Sequence, residues 1–71
     1  MNAQELVEMI GQRLVGEIVF TARIGDYPGG PAKVVELNPD PAAPEIVFQV
    51  MHPTFGEIGV FSEEPIIYMP K

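Results

Sequence analysis

Residues 17–37 read Glu17-Ile18-Val19-Phe20-Thr21-Ala22-Arg23-Ile24-Gly25-Asp26-Tyr27-Pro28-Gly29-Gly30-Pro31-Ala32-Lys33-Val34-Val35-Glu36-Leu37, and this stretch decides the fold class. From Glu17 the hydrophobic pattern has a period of two. Ile18, Phe20, Ala22 and Ile24 alternate with Val19, Thr21 and Arg23, which predicts a strand that buries the first set. Gly25–Pro31 then breaks the chain. Pro28 followed by Gly29 suits a type II turn, because proline presets φ at the first central position and glycine accepts a positive φ at the second. Ala32–Leu37 is the second predicted strand. Pro31 is tolerated at its start, where a missing N–H costs least.

The pattern continues towards the C-terminus. Asn38–Pro44 holds three prolines and reads as a stiff loop. Glu45–Met51 predicts a third strand with Ile46, Phe48 and Val50 on one side. His52-Pro53-Thr54-Phe55 turns the chain into a fourth strand, Gly56–Phe61. Ser62–Pro65 is a short turn, and Ile66–Met69 a fifth strand. Towards the N-terminus the period changes to that of a helix over residues 2–14. Leu6, Val7, Ile10 and Leu14 share one face. Asn2 is the expected N-cap, with Glu5 completing a capping box. Gly16 is the expected stop, and Gly11 is a second position where the helix can end.

Five short strands after one helix predict a single mainly β domain over residues 1–71, with the helix at 2–14 and a barrel at 17–69. The sequence resembles the SH3-like barrel in this strand pattern. The turn Tyr27-Pro28-Gly29-Gly30 leading into Ala32–Leu37 is similar to the glycine-containing turn and strand of KOW-type modules on the same barrel. That resemblance implies a closed or nearly closed small sheet. The basic residues with which KOW modules contact nucleic acid are largely missing, so nucleic-acid binding is not carried over. In SH3-like domains that bind peptides, loop aromatics form a groove for extended segments. The matching candidates are Tyr27, Phe55 and Tyr68, with Asp26 as an acidic neighbour. The tryptophan usual in that groove is absent.

Composition narrows the function classes. The chain has 71 residues, 46% of them hydrophobic, and a formal charge of -6 from four Lys+Arg against ten Asp+Glu. A chain of this length buries only about 60% of its unfolded surface. Without cysteine it has no disulfide and no Cys-based zinc site. The basic residues Arg13, Arg23, Lys33 and Lys71 are scattered, which argues against nucleic acid and anionic membrane as partners. No targeting segment or membrane span is legible, so a cytoplasmic location is expected.

Catalysis is not expected. The only histidine, His52, and the only serine, Ser62, form no recognisable dyad. Glu63 and Glu64 precede Pro65 and read as a solvated turn. No cofactor or metal is called for. The expected function is a small non-enzymatic protein–protein interaction module, working through an exposed strand face or the Asp26–Pro31 loop. The alternative is a homo-oligomer whose binding or catalytic site forms only between subunits. It rests on Val19, Val35, Leu37, Val47, Met51 and Phe61, which lie opposite the first apolar sets. They await cover from the helix, a bulge that turns them inward, or a second copy.

Overall fold

The computed structural model describes residues 1–69. Its elements are an α-helix α1 (Ala3–Ile10), a 3-10 turn (Gly11–Leu14), and strands β1 (Ile18–Thr21), β2 (Gly30–Leu37), β3 (Ile46–His52), β4 (Gly56–Phe61) and β5 (Ile66–Ile67). The fold is mainly β, as expected. All five strands form one antiparallel sheet in the order β4-β3-β2-β1-β5.

The helix starts as its sequence dictates. Asn2 Oδ1 accepts from the Glu5 amide at 2.8 Å, and Glu5 Oε1 accepts from the Asn2 amide at 2.9 Å, completing the capping box. It is shorter than 2–14. The α-helix ends at Ile10 because Gly11 takes φ 64°, and a tighter turn carries the chain on to Leu14. Leu6 and Leu14 still reach the core together.

The helix also joins the two ends of the sheet. The Ala3 amide donates to the Glu64 carbonyl and the Gln4 amide to the Ser62 carbonyl, each at 3.0 Å, on the turn between β4 and β5. The β5 edge is further covered where the Ile66 amide donates to the Met1 carbonyl at 2.9 Å. No strand pairs with the far edge of β4 among the described residues.

The facing of β1 differs from expectation. Val19 and Thr21 point into the core, while Ile18 and Ile24 are exposed and Phe20 is half-buried. Period alone leaves the choice open, since Ile18 and Val19 are both apolar. Pairing with β2 decides it: Val19 lies opposite Ala32 and Thr21 opposite Gly30, small residues on the buried face. Thr21 is admitted because its hydroxyl is satisfied there. It donates to the Gly30 carbonyl at 3.0 Å and shares a hydrogen bond with the Tyr27 hydroxyl.

The second apolar set is divided by bulges. Register shifts occur between Val34 and Glu36 and between Ile46 and Phe48. The second lets consecutive Val47 and Phe48 both turn inward. Val47, turned inward in this way, joins Val19, Leu6, Leu14, Val34, Val50, Val60 and Ile66 in one core. Met51 and Phe61 remain exposed. Among the described residues no helix is long and apolar enough to cross a membrane.

Candidate functional site

The chain between β1 and β2 folds into two turns, and these place the expected loop residues. Ile24 and Tyr27 exchange backbone hydrogen bonds of 3.1 and 2.8 Å around Gly25-Asp26. Gly25, at φ 55°, supplies the first central position of a type II′ turn. Gly29 follows with the positive φ expected of it, 71°. It is buried so tightly that a Cβ there would lie 2.7 Å from the Arg23 nitrogen and 2.8 Å from the Thr21 oxygen.

Tyr27 and Phe55 come together, with Asp26 exposed in the adjoining turn. The two rings meet edge-on at 5.3 Å between centroids. His52, set aside in the sequence as a turn residue, stands on the other side of Tyr27 at 5.2 Å. Its Nε2 faces the Gly29 carbonyl at 2.7 Å. Its Nδ1 accepts from the Thr54 and Phe55 amides, both at 3.1 Å. Those partners specify one tautomer: Nε2 carries the proton and donates, and Nδ1 is the acceptor. Tyr27 is buried and both its ends are engaged, so this cluster braces the loop against the β3–β4 hairpin. Phe55 is its exposed rim.

Tyr68 belongs to another neighbourhood. Its hydroxyl donates to Glu17 Oε1 at 2.9 Å. That hydrogen bond, with desolvation and the carboxylate charge, raises the phenol above its ordinary pKa of 10.0. It packs against the core rather than with Tyr27 and Phe55. Among the described residues no three of His, Cys, Asp and Glu come together as a metal site.

The turn at Gly25 has a further consequence. It carries Ile24 to the side of β4, where Ile24, Ile46, Ile58, Gly59, Phe61 and Glu64 line an open apolar groove of about 390 Å³. Ile24 and Phe61 are each about half exposed, at 51% and 49%. Gly59 gives the groove its floor: a Cβ there would sit 2.8 Å from Ile46 Cγ2. Glu64 closes one end, its carboxylate accepting from the Phe61 amide at 2.7 Å. Glu64 is thus more than a solvated turn residue. Arg23, next to Ile24 in the chain, is the one base beside these residues, and the segments that supply the rest of the lining are acidic. Between Lys33 and Lys71 there is no Lys or Arg, while Glu36, Asp40, Glu45, Glu57, Glu63 and Glu64 all fall there.

Phe61 was legible as an apolar residue on the face opposite the first apolar sets, and it is exposed there. Ile24 was expected in the core, and its place in the groove follows from the turn and the true facing of β1. Comparison with protein-family models, with curated proteins and with solved structures finds no match to this chain.

Proposed function

We propose that this chain is a non-catalytic protein–protein interaction module of the cytoplasm, built on an SH3-like barrel, which binds a segment of another protein in the Ile24–Phe61 groove. The observation that carries the reading is the groove itself. Four large apolar residues from three separate parts of the chain surround a glycine beside a strand edge. Its volume falls in the range of about 300–1,000 Å³ typical of ligand sites, and exposed apolar surface of this kind marks interaction surfaces. The strand order supports the SH3-like part, since it brings β4 and β5, the ends of the meander, to the two sides of one helix-covered opening.

A photo-crosslinking amino acid placed at Phe61, with a control at exposed Met9 on α1, tests this in extract of the source cells. The expected result is a discrete protein adduct from position 61 alone. Excess unlabelled wild-type chain should compete it away, and Ile24→Glu chain should not. Equal adducts from both positions, or equal competition by both chains, would sink the reading.

A separate observation favours self-association as the second reading. Ile67, Phe20 and Pro31 are register partners across β5, β1 and β2. Ile18, neighbouring them on the same face, pairs with Lys33, which pairs with Met51. This outer face carries exposed Ile18, Met51 and Ile67. Sedimentation equilibrium over a wide concentration range tests it. A constant monomer mass excludes a homo-oligomer as the functional form.

A further inference from the structure

The groove runs beside the open edge of β4, and the backbone there is not neutral scenery. In an antiparallel ladder, alternate residues turn their N–H and C=O towards the partner strand and away from it. Two hydrogen bonds fix the phase for β4. The Ser62 amide points towards β3, where it donates to the Glu45 carbonyl at 2.9 Å. The Phe61 amide points away, to the Glu64 carboxylate. Gly59 and Glu57 therefore also point away. Phe61 is already closed on both sides, since its carbonyl accepts from the Glu64 amide at 3.1 Å. The outward groups of Glu57 and Gly59 have no strand partner among the described residues.

We infer that the partner segment is an extended, basic-flanked peptide that adds to β4 as a sixth strand, hydrogen-bonding Glu57 and Gly59 and placing apolar side chains in the groove. This rests on the groove reading above and names its occupant. Strand addition takes affinity from main-chain hydrogen bonds and specificity from pockets for alternate side chains. Both lie side by side here. Phe61, Ile46 and the bare Gly59 offer a seat on one face of the added strand, and Ile58 and Ile24 on the other. Glu64 marks the end of the available edge and sets the length of peptide that fits.

Charge selects the partner. Glu57 lies in the edge strand and Glu63 and Glu64 follow it, with one base nearby, Arg23 beside Ile24. A second copy of this chain, itself of formal charge -6, would bring the same carboxylates to this edge. A cationic peptide gains where a second copy is repelled.

The probe is the peptide acetyl-Lys-Arg-Val-Ile-Val-Arg-Lys-amide, with one version N-methylated on its two valines and one with glutamates at the flanks. The readouts are amide signals and amide exchange of Glu57 and Gly59, and methyl signals of Ile24, Ile46 and Ile58. At ten times the dissociation constant, exchange at Glu57 and Gly59 should slow by about tenfold. The N-methylated and glutamate-flanked versions should not bind. If the isoleucine methyls respond but the two amides do not, and N-methylation is harmless, strand addition is wrong and the groove reading stands. Equal binding of the glutamate-flanked peptide overturns the choice of a basic partner. Protection of Glu57 and Gly59 that rises with protein concentration alone assigns the edge to a second copy instead. No response to any peptide overturns the inference, while crosslinking at Phe61 reports separately on the groove.

Discussion

His52 Nε2 reaches from the end of β3 to the carbonyl oxygen of Gly29, 2.7 Å away and 23 residues back along the chain. The same ring accepts two amides of its own hairpin turn through Nδ1. One buried side chain thus ties the loop before β2 to the turn after β3. Replacing it by alanine leaves a buried carbonyl and two amides without partners. The expected loss is about 2–4 kcal/mol, on a cost of about 1–3 kcal/mol for each unsatisfied buried group and partial relief by water. Urea unfolding measures it. Imidazole nitrogen shifts should report Nε2 as the protonated nitrogen of the neutral ring, and the opposite tautomer would refute the bonding scheme.

Gly29→Ala is expected to be far worse than Gly16→Ala. Both positions have positive φ, 71° and 96°. A left-handed conformation alone costs a non-glycine residue about 1–2 kcal/mol. At Gly16 a Cβ meets nothing within 4 Å, so that strain is the whole penalty. At Gly29 it would collide with the backbone of residues 21–23. Thermal unfolding of the two variants should therefore separate clearly, and equal melting temperatures would show that the loop can move aside.

The Thr21–Tyr27 hydroxyl pair is buried, and Thr21 passes its own proton on to the Gly30 carbonyl. Thr21→Val should cost about 1–3 kcal/mol by orphaning the Tyr27 hydroxyl. Adding Tyr27→Phe removes the orphan, so the double variant should lose less than the sum of the singles. Additive losses in a double-mutant cycle would mean that the two hydroxyls do not depend on each other.

Tyr68 supplies a pH dependence whose sign follows from its bond to Glu17. The phenol is the donor, so ionising it breaks the bond, and the folded pKa lies above the ordinary value of 10.0. A raised pKa of this kind contributes stability that is full below pH 10 and is lost as pH rises through the folded value. Site-resolved Cζ shifts should show Tyr68 titrating above 10, and Glu17→Gln should lower its midpoint. An unchanged midpoint in that variant would remove Glu17 as the cause.

Much of the fold was legible from local chemistry. Asn2 and Glu5 announced the helix start, and β4 appears with the predicted bounds Gly56–Phe61. Gly29 was readable as a positive-φ position because few other residues tolerate it. The helix length was less legible, since an apolar stripe continues through Leu14 whether or not Gly11 breaks the α-helix. The site was hardly legible. Of Asp26, Tyr27, Phe55 and Tyr68, the aromatic pair Tyr27–Phe55 meets, and Tyr68 goes to Glu17.

The sequence by itself determined the elements and their order, because caps, turns and period depend on residues a few positions apart. Only the tertiary structure decided which face of β1 is buried, that Val47 turns inward, and that Ile24 stands beside Phe61. Those outcomes depend on cross-strand register, on bulges and on a turn that swings a side chain across the molecule. Ile18 and Val19 are equally apolar, so no local rule chooses between them. The small residues opposite Val19 and Thr21 in β2, and a hydroxyl waiting on Tyr27, make that choice.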